Sequence, residues 1–239
     1  QLARVPHLQS VRDGDARALN RPTAMREILG TLEAQVRPAH TALVIVDMQN
    51  DFCAEGGHIH RQRSSDMSGN VVIADHIERL AAVARRAGMP VVWLRSVYDF
   101  KYLAGAHIAK RGQEGCCLEG SWGVDWFRIQ PQPQDLVVQK HCFSGFQGTP
   151  LHTLLRGHGV KTLVMTGVAT NVCVDSTLRE GFFLGYHIVV AEDCVGSTNR
   201  AGHEGTLSTV RVNFGTVTDS AALIGLIEGG VAAGRAATA

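Results

Sequence analysis

Short apolar runs rich in Val, Ile and Leu recur along the chain, each followed at a short distance by a stretch of helical periodicity. The runs are TALVIV (41–46), PVVWL (90–94), LVVQ (136–139), TLVMT (162–166) and HIVVA (187–191). A run that is apolar at nearly every position, rather than at every second one, suits a strand covered on both faces. Segments 71–87, 150–158, 172–184 and 200–212 carry apolar residues at helical spacing, and Gly88, Gly159 and Gly185 stand where the first three end. This alternation predicts an α/β fold: a Rossmann-like, mostly parallel sheet of about six strands, the last at 214–218, with helices on both faces.

Residues 1–40 are polar, Arg-rich and weakly periodic apart from a short helical candidate at 24–35. They read as an N-terminal arm that packs on the domain or on a neighbouring subunit, leaving 41–239 as one domain. Residues 98–135 are Gly-rich, aromatic and poorly periodic, which predicts a long functional excursion over the sheet edge. With 23 basic against 22 acidic side chains, the chain has no clustered positive charge for nucleic acid or an anionic membrane. No apolar run approaches the roughly 20 residues that span a bilayer. The segment QLARVPHLQSVRDGD lacks the apolar middle of a signal peptide, so the expected location is cytoplasmic.

Six cysteines, at 53, 116, 117, 142, 173 and 194, are too sparse and irregular for a disulfide framework. None shows C-x₂-C spacing, and the adjacent Cys116 and Cys117 are poorly placed to hold one metal together. Which sulfur does chemistry must come from its neighbours.

In parallel α/β sheets ligands bind outside the carboxyl ends of the strands. Asp47 directly follows the first run, Lys140 follows the third, and after the fourth comes GVATNVC, a tight turn that brings Cys173 to the start of a helix. Taken singly, each has a bland reading: a helix-capping acid, a solvated lysine, a packed thiol. Taken together they form a nucleophile, a base and an orienting cation. A carboxylate takes the thiol proton, an ammonium holds carboxylate and thiolate in one cluster, and a helix N-terminus favours thiolate.

VIVDMQNDF (44–52), KHCFSGF (140–146) and TGVATNVCVDSTLREGFFLGY (166–186) closely resemble the isochorismatase-like cysteine hydrolases, in order and over about residues 41–225. The resemblance implies a catalytic triad of Asp47, Lys140 and Cys173. It also implies a non-proline cis peptide at Val168–Ala169, and an oxyanion hole made by the backbone N–H groups of Ala169 and Cys173. Within the family the motifs are most similar to amidohydrolases of ureido and carbamoyl compounds, of the ureidoacrylate, biuret, triuret or N-carbamoyl amine type. Such an enzyme cleaves a C–N bond through a thioester-type acyl-enzyme that water then releases. The alternatives are vinyl-ether hydrolysis of isochorismatase type and a non-catalytic binding module.

Nicotinamidases of the family carry an Asp-x-His metal segment after the second strand. This chain has RSVYDFKYLAGAH there, so neither a metal nor another cofactor is expected. Family members commonly form dimers or tetramers, which implies a homo-oligomer. Substrate contacts are expected from Asn50 and Phe52 beyond Asp47, from Trp93, Arg95 and Tyr98 on and after the second strand, and from Phe143 in the Lys140 loop. Arg95 is either a carboxylate anchor or a surface ion pair. Gln147, Thr149 and Asn171 read as turn or cap residues, and the 93–122 segment as the pocket wall.

Overall fold

The computed structural model describes residues 28–112 and 114–236. Most of the 1–40 segment therefore lies outside the described residues. From Thr31 onward the chain belongs to one compact unit. There the short helix α1 (Leu32–Gln35), capped by the Thr31 hydroxyl, leads into the first strand. Val36 is buried in the main core, so 31–40 packs with the sheet.

Six strands, β1 (Thr41–Val46), β2 (Val91–Ser96), β3 (Leu136–Lys140), β4 (Thr162–Val168), β5 (His187–Gly196) and β6 (Gly215–Thr218), pair in the order β3-β2-β1-β4-β5-β6. All five pairings are parallel. β1 is buried at every residue, as is β4, which is what their unbroken apolar runs predict. Alternate residues serve opposite faces. Leu43, Ile45, Trp93, Val164 and Val189 pack against α4 (Gly69–Arg86) and α9 (Ser220–Ala236) through Ile77, Leu80, Leu223 and Ile227. Val44, Leu94, Met165 and Val190 pack against α6 (Leu151–Gly157), α7 (Asp175–Phe183) and α8 (Arg200–Asn213) through Leu151, Leu155, Leu178 and Leu207.

Chain order reverses direction across the sheet between β1 and β4, so the crevice that opens at such a switch point lies above their carboxyl ends. Two short helices, α2 (Asn50–Cys53) and α3 (His58–Arg63), follow β1. The 98–135 excursion contains α5 (Gly105–Arg111) and a 3₁₀ turn at Trp122–Val124; a single bridge Tyr98–Cys116 closes it on itself and another, Gln49–Trp126, joins it to the turn after β1. No helix among the described residues is long and apolar enough to cross a membrane.

Candidate active site

Asp47 leaves β1 with φ 52°, a left-handed conformation that Asp tolerates better than most residues. This turns the carboxylate toward the ends of β2 and β3. Lys140 is the last residue of β3, where the sequence pattern ends the strand one residue earlier, and its side chain is fully buried. Its Nζ donates to Asp47 Oδ2 at 2.9 Å, to Ser96 Oγ at 2.8 Å and to the Cys142 carbonyl at 3.0 Å. Those three bonds use every proton an ammonium has. Ser96 lies on β2, between the strands that carry Asp47 and Lys140, in register with Lys140, and its hydroxyl donates to Asp47 Oδ1 at 2.9 Å. Gln49 locks the Ser96 backbone on both sides, accepting its N–H at 2.7 Å and donating to its carbonyl at 2.9 Å.

β4 passes so close to β1 that a side chain at Gly167 would put its Cβ 2.0 Å from the Val46 carbonyl oxygen, and Gly167 itself has φ 98°. Only glycine fits both conditions. The Val168–Ala169 peptide that follows is cis. Thr170–Val174 is a single π-helical turn that runs into α7, so Cys173 sits in a π turn rather than in the first turn of an α-helix. The Ala169 carbonyl accepts from Val172 and Val174, while its own N–H meets no acceptor among the described residues.

Cys173 is buried, with the Tyr98 hydroxyl 3.8 Å from Sγ. Burial drives the thiol pKa up to about 12; the Lys140 charge and the Tyr98 hydroxyl pull it down, while the Asp47 charge and its hydrogen bond push it up. The helix-terminus argument for a resting thiolate is thereby outweighed. Burial alone lowers the Lys140 pKa, but Asp47 first, then Cys173 and Tyr98, more than reverse this and hold it well above the ordinary value. Burial, and then the Cys173 charge, raise that of Tyr98.

Cys173 and Asp47 open onto a cavity of about 80 Å³. Its walls come from Phe52, Ile59, Arg63 and Asn70 on the segments after β1, from Val168, Ala169 and Val172 at and after the end of β4, and from Gly196–Thr198 at the end of β5. The excursion expected to form that wall instead packs its own cluster of Val97, Tyr98, Cys116, Cys117 and Val124.

Of the expected substrate contacts, Phe52 lines this cavity and the Tyr98 hydroxyl reaches the sulfur. Asn50 donates its amide to the Trp122 carbonyl at 2.9 Å. Trp93 is buried on the α4 face of the sheet, its indole N–H on Asp135 at 2.9 Å. The Arg95 guanidinium meets Glu119 at 3.3 Å and Gln139 at 3.4 Å. Phe143 packs its ring on His107, with centroids 5.0 Å apart. The last four do not line the cavity. Sequence reasoning passed over Ser96, Gln49, Arg63 and Thr198, whose roles depend on strand neighbours and loops remote in sequence.

Among the described residues, Asp51, Cys116 and Cys117 bring donor atoms within 4.8 Å of one another. Both Asp51 oxygens already accept backbone N–H groups, from His58 at 3.0 Å and Cys117 at 2.6 Å, so the carboxylate acts as a clamp between α3 and the excursion.

An isochorismatase-domain sequence profile matches residues 41–222. Ureidoacrylate amidohydrolase RutB of Methylobacterium radiotolerans is 38% identical, over 77% of this chain and 78% of its own. That of Methylorubrum extorquens is 35% identical, over 88% and 94%. Among solved structures, a cysteine hydrolase from Pseudomonas syringae pv. phaseolicola superposes with a TM-score of 0.71 at 26% identity, covering 82% of this chain and 96% of its own. N-carbamoylsarcosine amidase from Thermoplasma acidophilum gives a TM-score of 0.64 at 28% identity, covering 76% and 96%. The chain belongs to the isochorismatase family and is a hydrolase.

Proposed function

We propose that the chain is a cysteine amidohydrolase that cleaves a C–N bond in a small ureido or carbamoyl compound through a thioester acyl-enzyme. The observation that carries this reading is that Cys173 shares one small cavity with Asp47, whose carboxylate is paired behind the wall with the buried Lys140. Relatives named for ureidoacrylate and N-carbamoylsarcosine support the substrate class.

Because the resting thiol holds its proton so tightly, deprotonation and attack are coupled. Asp47 takes the proton as the Cys173 sulfur bonds to the substrate carbonyl carbon. The electron pair displaced onto the carbonyl oxygen is received by the N–H groups of Ala169 and Cys173. As the tetrahedral adduct collapses, the C–N bond breaks and Asp47 returns its proton to the leaving amine. A water molecule, deprotonated by Asp47, then attacks the thioester, and the sulfur leaves with that proton. Lys140 touches no cavity wall; it fixes the Asp47 carboxylate and balances the negative charge that passes between Asp47 and Cys173.

Cys173→Ser is the direct test. It keeps the shape but replaces the thiol with a far weaker nucleophile, so ammonia release from ureido compounds should fall by at least about 10³-fold with the fold intact by circular dichroism. Mass spectrometry of the wild type quenched during turnover should show an acyl adduct on Cys173. Turnover in the serine variant within tenfold of the wild type would remove Cys173 as nucleophile.

A further inference from the structure

The walls of the Cys173 cavity carry one cation among the described residues, and it is not one the catalytic cluster uses. The acidic group on those walls, Asp47, is neutralised by Lys140, whose three donors are all engaged. Arg63, at the end of α3, faces the same cavity. Among the described residues its exposed guanidinium has one protein partner, the Thr198 hydroxyl, to which Nη1 donates at 2.9 Å, and it pairs with no carboxylate there. Nearby arginines are committed: Arg61 lies 3.9 Å from Glu114, and Arg95 lies on Glu119.

A guanidinium has five N–H donors in a planar fork that matches the two oxygens of a carboxylate. Here four of the five have no protein partner among the described residues, and the Thr198 contact holds the fork against the segment that follows β5. The result is a cavity with a charge-balanced reactive end and a positive rim.

We propose that Arg63, held by Thr198, is the anchor for a carboxylate on the substrate, so that the enzyme favours anionic ureido compounds over neutral ones such as biuret. This rests on the amidohydrolase reading above and narrows it to a charge class. Arg63 here determines specificity and takes no part in bond making.

The test compares 3-ureidopropanoate with 3-methylbutylurea, in which an isopropyl group replaces the carboxylate at nearly the same shape, in wild type, Arg63→Ala and Arg63→Lys. Ammonia release gives kcat and KM. In the wild type, kcat/KM should favour the acid at least tenfold. Arg63→Ala should lower kcat/KM for the acid about 10–100-fold, chiefly through KM, and leave the neutral urea within about threefold. Lysine, a point charge without the fork, should restore part of the loss.

Equal losses on both compounds, or none on either, would overturn the anchor. So would a wild type that prefers the neutral urea, although the amidohydrolase reading would then stand. If the wild type released ammonia from neither, that reading would fail, and binding of propanoate by calorimetry would still decide Arg63. Weakening of at least about fivefold in Arg63→Ala supports the anchor, and unchanged binding removes it.

Discussion

Asp47 and Lys140 act on the Cys173 thiol with opposite sign, which separates the acidity of the sulfur from its catalytic competence. Asp47 raises the thiol pKa by its charge and its hydrogen bond, and Lys140 lowers it. Removing the Asp47 charge therefore lowers the pKa and enlarges the thiolate fraction at any pH below it. Asp47→Asn should react faster with iodoacetamide at pH 8 than the wild type, yet hydrolyse amides about 10²–10⁴-fold more slowly for want of a proton carrier. Lys140→Met removes the lowering influence and should be alkylated more slowly than the wild type. Rates of Cys173 alkylation read by peptide mapping, set beside ammonia release, check both signs; slower alkylation of Cys173 in Asp47→Asn would show that the carboxylate does not restrain the sulfur. These three groups are legible in the sequence because each stands at or just beyond the end of a strand, where a one-dimensional pattern and a three-dimensional site coincide. Arg95 is harder to read from sequence. Its position after an apolar run says that it is near the strand end but not which charges it meets, and Glu119 comes from 24 residues away.

At the scale of elements, the approach of β1 and β4 sets where Asp47 and Cys173 can meet. Gly167→Ala would place a methyl group 2.0 Å from the Val46 carbonyl and hold an alanine at φ 98°. Relief requires the two central strands to part next to Asp47. The expected loss is at least about 2 kcal/mol of stability, seen as a lower urea midpoint, together with reduced turnover in the folded fraction. An unchanged midpoint would mean that the strands separate freely. Apolar runs located the first five strands, most plainly β1 and β4, because burial on both faces leaves a continuous signature; β6, half-exposed along its length, has no such run. The short helices α2 and α3 span only Asn50–Cys53 and His58–Arg63, too few residues for a period of 3.6 to declare itself. α9 escaped for another reason: GLIEGGVAAG interrupts its apolar positions with glycines, which read as turn signals until the sheet supplies a surface to cover. The π turn around Cys173 has no sequence periodicity of its own, so the helix was expected to begin in regular form.

On the scale of the whole molecule, one face of the sheet and the excursion beside it bury most of the thiols that composition alone could not rank. Cys53 and Cys194 lie in the cluster under α4 and α9, and Cys116 and Cys117 in the packed cluster of the excursion. Burial raises the pKa of Cys53, Cys117 and Cys194 well above that of a free thiol. Cys173 is as deeply set but borders the cavity, and Cys142 is half-buried with its sulfur on the Ser144 carbonyl at 3.5 Å. These differences divide six thiols into three kinetic classes. A thiol-disulfide reagent at pH 8 should modify Cys142 first without ending turnover, since only the backbone carbonyl of that residue serves Lys140. Cys173 should follow more slowly, its loss tracking the loss of activity and retarded by a bound substrate analogue. The other four should stay silent until the sheet opens, and then appear together at the urea midpoint reported by near-ultraviolet circular dichroism, because a small domain unfolds cooperatively. Peptide mapping after timed labelling resolves the three classes. Release of Cys116 and Cys117 at a lower urea concentration than Cys53 and Cys194 would instead make the 98–135 excursion a separately unfolding unit. Its Tyr98 hydroxyl would then leave Cys173 before the sheet is lost.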